Sequence, residues 1–157
     1  MLFIVTGVCG TGKTTLGKLL SNYFSLPFYD ADEFHPHANI EKMSKGFPLN
    51  DEDRLPWLEA LAEQMIESEK SGGAVLACSA LKESYRKILQ VNKEVNWIHL
   101  QGSRELIWQR MTARKDHYMK PEMLDSQMLI WEEPEYGLKL NINQSPEEMM
   151  KEVISSL

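Results

Sequence analysis

An α/β fold, with a parallel and five-stranded sheet flanked by helices, is predicted by three observations. Short apolar runs alternate with helical patterns along the whole chain, the order that wraps a parallel sheet in helices. One run, Ala74-Val75-Leu76-Ala77-Cys78, is apolar at every position, as a strand covered on both faces must be. The first run, Leu2-Phe3-Ile4-Val5, leads into Gly7-Val8-Cys9-Gly10-Thr11-Gly12-Lys13-Thr14 and then a helical pattern. That stretch reads G-x-x-x-x-G-K-T between strand and helix, the context that makes the motif a phosphate-binding loop.

Each element follows in turn. Leu16, Leu19, Leu20, Tyr23 and Phe24 recur at helical spacing, giving a first helix with one buried face. Pro27 closes that region, and Phe28-Tyr29 starts an extended run ending at Asp30-Ala31-Asp32. A short helix carries Ile40 and Met43 before Gly46 and Pro48. Asn50, followed by Asp51, Glu52 and Asp53, marks a helix start with acidic residues at the positive end of the dipole. Pro56 lies early enough in that helix to be tolerated, and Leu58, Leu61, Ala62 and Met65 continue its apolar face to Ser71-Gly72-Gly73. After the strand Ala74–Cys78, a helix opening at Ser79 or Ala80 turns Leu81, Tyr85, Ile88 and Leu89 inward. Trp97-Ile98-His99-Leu100 is a fourth strand, Ser103 caps the next helix, and that helix carries Leu106, Ile107, Arg110, Met111 and Arg114. Lys115 to Pro134 is rich in charge and methionine, with a helical pattern through Met123, Gln127 and Met128. Leu138 to Ile142 is a last strand, and Pro146 begins a terminal helix through Met149, Met150 and Val153.

A chain of 157 residues, 43% of them hydrophobic, has the size and core content of one domain, and no repeat or linker divides it. The net charge of −6 comes without a block of like charges, which argues against a nucleic-acid surface. Cys9 and Cys78 make no disulfide framework, and no segment approaches the length of a membrane span. A reduced, cytoplasmic protein is expected.

The loop supplies the first chemistry. Its glycines let backbone N–H groups close around a polyphosphate, and the following helix adds its positive end. Lys13 supplies a charge for the β- and γ-phosphates, the Thr14 hydroxyl lies where magnesium is held in such loops, and Thr15 joins Gly7–Thr14 as an expected ATP-binding residue. Asp30 and Asp32 would share one face of a continuing strand. Asp32 is the candidate base and Asp30 the candidate magnesium ligand, unless one of them only caps the following turn. Lys82 and Arg86 are four apart, so they crowd on one helical face and either hold an anion or are simply solvated. Arg110 and Arg114 repeat the arrangement and either close on a γ-phosphate or form surface ion pairs. Arg54 could pair with the acidic triplet before it. His35, His37, His99 and His117 lack metal-ligand spacing, and His99, alternating along a strand, reads as structural. The strand Ala74–Cys78 does not end in the aspartate that usually assists magnesium, which leaves Thr14, the phosphates, water and Asp30.

Several further blocks stand out: Asp30-Ala31-Asp32-Glu33-Phe34-His35-Pro36, Asn39-Ile40-Glu41-Lys42-Met43 and Pro48-Leu49-Asn50-Asp51-Glu52-Asp53-Arg54-Leu55-Pro56-Trp57-Leu58, followed by Cys78-Ser79-Ala80-Leu81-Lys82 with Tyr85-Arg86, Ala113-Arg114-Lys115 with His117, and Ser126-Gln127 before Glu133-Pro134. Together they resemble the gluconate kinases, small P-loop kinases related to shikimate and nucleoside monophosphate kinases. The resemblance implies a P-loop kinase with a lid, using ATP and Mg2+ to phosphorylate D-gluconate at its terminal hydroxyl to 6-phosphogluconate. It implies a substrate region at about 34–54 and a lid at about 115–134. It gives Asp32 the acceptor hydroxyl, and His35, Arg54, Lys82 and Arg86 the carboxylate and hydroxyls. Arg110 and Arg114 would close on the triphosphate, and Asn143, in the last strand-to-helix loop, would lie beside the adenine. Related kinases are often dimers, so a homodimer is expected as possible. Two departures stand out: Cys9 replaces a usual serine and could have a depressed thiol pKa at the helix N-terminus, and Met128-Leu129-Ile130-Trp131 is unusually apolar for a lid. The alternatives are a shikimate kinase, which the N-I-x-K-M and N-D-x-D-R blocks oppose, and a nucleotide-binding module without turnover.

Overall fold

The computed structural model describes residues 1–113 and 121–157. Its five strands are β1 (Leu2–Thr6), β2 (Phe28–Asp30), β3 (Ala74–Ala77), β4 (Val95–Gln101) and β5 (Leu138–Asn141). They form one sheet in the order β2-β3-β1-β4-β5, and every pairing is parallel. The helices are α1 (Lys13–Phe24), α2 (His37–Ser44), α3 (Asp51–Lys70), α4 (Glu83–Leu89), α5 (Arg104–Thr112), α6 (Pro121–Ile130) and α7 (Pro146–Ser156).

The two faces of the sheet separate by the period of the strand. Phe3 and Val5 of β1 point into a core with Leu16, Leu20, Ile107, Met111, Leu124, Met149 and Val153. Leu2 and Ile4 point the other way, onto Trp57, Leu58, Leu61, Met65, Tyr85 and Leu89. The central strand is thus buried on both faces, every residue of Leu2–Thr6 included, which explains its unbroken apolar run. The predicted helix starts hold where capping chemistry is local. Asn50 and Asp53 make a reciprocal capping box at α3, and Ser145 with Glu148 does the same at α7, where Pro146 takes the first turn. Ser103 accepts the Leu106 N–H at α5, and α3 runs unbroken through Pro56.

Two local expectations are corrected. β2 stops at Asp30, and Ala31–Phe34 form a 3-10 turn, so Asp30 and Asp32 do not alternate on a continuing strand. The reason lies in Asp30 itself: its Oδ1 accepts the Asp32 N–H at 3.0 Å and caps the turn. The helix after β3 starts at Glu83, not at Ser79 or Ala80, because Ala80 has a left-handed φ of 41°, which no helix interior accommodates.

That shift separates Lys82 from Arg86 and corrects the substrate role expected of Arg86. Lys82 becomes the residue before α4, while Arg86 is 1% exposed. The Arg86 guanidinium donates to the carbonyls of Ala80 (2.8 Å), Leu81 (3.1 Å) and Glu132 (2.7 Å) and to the Glu83 carboxylate (3.3 Å). It also lies 4.7 Å from the centre of the Trp131 ring. With its donors spent on backbone, Arg86 braces the β3–α4 segment against the end of α6 and does not open onto a ligand.

Beside that brace, His99 is fully buried, with Nδ1 2.6 Å from the Thr6 hydroxyl. Burial first, and the nearby Arg86 charge second, push its imidazole down to about 4.

Two outcomes follow from this packing. Arg86→Met leaves three carbonyls without their donor, and unfolding in urea should show a loss of about 3 kcal/mol or more; a change within about 0.5 kcal/mol would remove the brace. His99 binds a proton more readily unfolded than folded, so acidification below its ordinary pKa of about 6.5 favours the unfolded chain. This residue alone should then withdraw roughly 3 kcal/mol between pH 7 and pH 4, stability rising with pH. His99→Gln should flatten that part of the pH dependence, and an unchanged slope would contradict the assignment.

Candidate active site

The C-terminal ends of the parallel strands bring the reactive residues together, as expected of an open α/β sheet. At the end of β1 the loop Gly7–Gly12 turns with positive φ at Gly7 (148°), Gly10 (78°) and Gly12 (93°). Gly10 has a second reason to lack a side chain: a Cβ there would stand 2.5 Å from Met111 Cγ. Thr11 ties the turn by donating to the Val8 carbonyl at 2.8 Å. Gly12 caps α1 without a side chain, which leaves the first N–H groups of the helix open to an anion. Lys13 Nζ donates to the carbonyls of Gly7 and Val8, each at 3.0 Å, so its ammonium folds across the cradle. Burial pushes its pKa down, opposed by Cys9 first and then by Asp32. Thr14 and Thr15 are exposed on the first turn of α1.

The depressed thiol expected at Cys9 is corrected. Burial raises its pKa, and the Lys13 charge only partly offsets this. Cys78, at the end of β3, is pushed up to about 12 by burial.

Asp32 faces the loop from the 3-10 turn. Its carboxyl is open to solvent on one side, yet lost hydration raises its pKa, with the Asp30 charge adding to the rise and Lys13 and His35 opposing it. His35 continues the line: its ring stacks on Trp57 with centroids 4.4 Å apart and 13° between planes. Desolvation lowers its pKa; the Asp32 carboxylate opposes the shift and the Arg54 guanidinium adds to it. Trp57 is itself fixed by donating its ring N–H to the Ala31 carbonyl at 2.7 Å. Buried Asn39 lies 3.3 Å from His35 Nδ1 and donates to the Asp53 carbonyl at 2.9 Å, which locks α2 to the start of α3.

Beyond His35 lie two of the predicted cations. Arg54 Nη1 donates to the Tyr85 hydroxyl at 3.0 Å, and Lys82 Nζ donates to both oxygens of Asp51 at 3.1 Å. The Tyr85 hydroxyl donates to Asp51 Oδ1 at 2.5 Å, and both cations lie 5.6 Å from the Tyr85 ring centre. Arg54 therefore pairs with the acidic triplet only loosely, at 3.8 Å from Asp51. Sequence reasoning missed Tyr85 and Asp51 as members of this group. Only their places in the family-like blocks could have pointed to them, since 34 residues separate them in the chain.

On the other side of the loop, α6 contributes Gln127, whose Oε1 accepts the Cys9 N–H at 2.8 Å. No role was expected of this side chain, although it belongs to one of the family-like blocks. Below α6, a cavity of about 220 Å³ separates Val8 and Thr11 from Met128 and Trp131. A larger hollow, about 540 Å³, lies between Trp97, Tyr136 and Leu157 at the opposite ends of the strands and touches none of these groups. Arg110 donates to the Ile142 carbonyl, which sets it beside Asn143, exposed in the β5–α7 loop. Arg114, expected with Arg110, lies outside the described residues, as do residues 115–120 of the expected lid.

A family model described as shikimate kinase matches residues 9–157. The chain is 45% identical to a probable gluconokinase of Schizosaccharomyces pombe over 85% of this chain and 73% of that one. It is 38% identical to a gluconokinase of Gluconobacter oxydans, covering 96% of this chain and 88% of the other. Among solved structures, a gluconokinase from Sinorhizobium meliloti superposes with a TM-score of 0.86 at 34% identity, over 98% of this chain and 89% of that one. Matched along nearly its whole length in sequence and in fold, the chain belongs to the gluconokinase family of P-loop kinases.

Proposed function

We propose that this protein is an ATP-dependent gluconate kinase, which transfers the γ-phosphoryl group to the terminal hydroxyl of D-gluconate and yields 6-phospho-D-gluconate and ADP. The observation that carries the reading is the line Asp32–His35–Arg54–Lys82, which starts at the phosphate loop and ends in cations. A polyhydroxy acid suits that polarity, with its terminal hydroxyl at the carboxylate end and its own carboxylate at the cationic end. The relatives named as gluconokinases support the choice of acid.

The loop amides and Lys13 hold the triphosphate, and Arg110 and Asn143 flank the nucleotide. Arg114 belongs to the same proposal, as a cation for the transferring group. Asp32 orients the acceptor hydroxyl and takes its proton as the O–P bond forms and the bond to ADP breaks. Its raised pKa favours that step, since a stronger base accepts the proton more readily. His35 bonds the middle hydroxyls, and Arg54 and Lys82 bind the carboxylate.

Magnesium fits the oxygen donors present, the exposed Thr14 hydroxyl and the Asp30 carboxylate. Asp30 Oδ1 is occupied by the Asp32 N–H, which leaves Oδ2, and β3 ends in alanine and cysteine with no acidic residue. The ion, when bound, neutralises charge on the phosphates, so this chain leaves most of its coordination to phosphate and water. The proposal extends to residues 1–157 acting as one kinase domain, with the substrate region at about 34–54 and a lid at about 115–134. It extends also to a cytoplasmic setting and to a homodimer. No helix among the described residues is long and apolar enough to cross a membrane.

ADP release with magnesium-ATP, measured against gluconate, shikimate and glucose in parallel, tests the reading. Gluconate alone should stimulate it, and stimulation by shikimate alone would transfer the assignment to the other branch of the fold. Asp32→Asn should lower kcat by about 10²- to 10⁴-fold while ATP still binds, whereas Lys13→Ala should impair both ATP binding and turnover. Full turnover in Asp32→Asn would remove the base.

A further inference from the structure

We infer that Asp51 is an internal stand-in for the substrate's carboxylate: it occupies the bay of Lys82, Arg54 and Tyr85 and gives way when a sugar acid enters. This deepens the gluconate reading and rests on it.

The geometry is that of a bound carboxylate. Asp51 presents both oxygens to Lys82 at 3.1 Å, accepts a hydrogen bond from the Tyr85 hydroxyl on Oδ1 and stands 3.8 Å from Arg54. Tyr85 is fixed from both sides, because its hydroxyl accepts from Arg54 while donating to Asp51. Two cations and one hydroxyl donor converging on a carboxylate are the groups an incoming acid needs, and His35 lies within the electrostatic reach of both Arg54 and Asp32.

Asp51 is also built to leave. Its side chain is 62% exposed and sits on the first turn of α3, where a carboxylate swung into water still favours the helix dipole. An exposed pair of this kind holds weakly against water, so displacement costs little. A substrate carboxylate repays it by taking over the same three donors. A neutral sugar offers no such replacement, so Asp51 would keep its place in the bay beside it.

The test is KM for gluconate, with KM for ATP as internal control, in the full chain carrying Asp51→Asn, Asp51→Glu or Tyr85→Phe. Asp51→Asn keeps the size of the side chain and removes the competing charge, so KM for gluconate should fall about two- to fivefold, the scale an exposed ion pair carries. Asp51→Glu, still a carboxylate, should stay near the parent value, and Tyr85→Phe should raise KM for gluconate severalfold. A merely structural Asp51 could not improve substrate binding when changed. An unchanged or raised KM for gluconate in Asp51→Asn overturns the inference while the gluconate reading stands. Absence of gluconate-dependent ADP release in the parent protein overturns the reading itself, and the inference with it.

Discussion

The structure depends on one constraint: a phosphate cradle made of backbone must be held still without side chains to hold it. Gly7, Gly10 and Gly12 adopt conformations closed to other residues, and each costs chain entropy on folding. The surroundings supply the rigidity instead. β1 is buried on both faces and paired on both edges, with β3 and with β4, so the strand that launches the loop has no freedom to tilt. Met111 of α5 fills the space against Gly10, and Thr11 closes the turn from within. The central strand, buried at every position, anchors a loop that has little side-chain support of its own.

The same logic separates what could be read from the sequence from what could not. The succession of strands and helices, the loop, the caps at Asn50 and Ser103 and the last helix at Pro146 all rest on neighbours within a few residues, and they appear where the local pattern places them. The errors arise where a short-range rule was extrapolated through a conformation that one residue sets. Asp30 ends β2 by bonding the Asp32 N–H, which breaks the period-two argument for the aspartates. Ala80, left-handed, delays α4 by three or four residues, which breaks the spacing argument for Lys82 and Arg86. The buried role of Arg86 depends on the Glu132 carbonyl, 46 residues away, and the thiol of Cys9 is governed chiefly by burial. Neither has a local signature. The family-like blocks did mark Tyr85, Arg86 and Gln127 as places of interest, but a motif names a position and not the partner it will meet.

Charge in the proposed substrate region is nearly balanced within the chain itself. Lys42 pairs with Asp53 at 2.6 Å, Lys82 with Asp51, and Arg54 is shared between Tyr85 and Asp51. Only part of that pairing is structural. Asp53 also completes the capping box and is anchored by backbone, so its ion pair with Lys42 belongs to the scaffold. Asp51 has no such second duty, and its bonds are to the side chains that a sugar acid would require. Two acidic residues two positions apart on one helix turn thus do different work, and the difference lies in which of them is bonded to backbone.

The segment from α6 to Glu132 connects the two halves of the site. At one end Gln127 holds the Cys9 N–H of the phosphate loop. At the other, Glu132 donates its N–H to the Leu81 carbonyl at 2.8 Å and accepts the Glu83 N–H on its carboxylate at 2.6 Å, on either side of Lys82. Arg86 fastens the same junction from beneath. The helix α6 over the phosphate loop is therefore tied by hydrogen bonds to the backbone that carries Lys82. The phosphate-loop side and the Lys82 side of the cleft share one element, braced by a buried guanidinium whose donors are all directed at the chain itself.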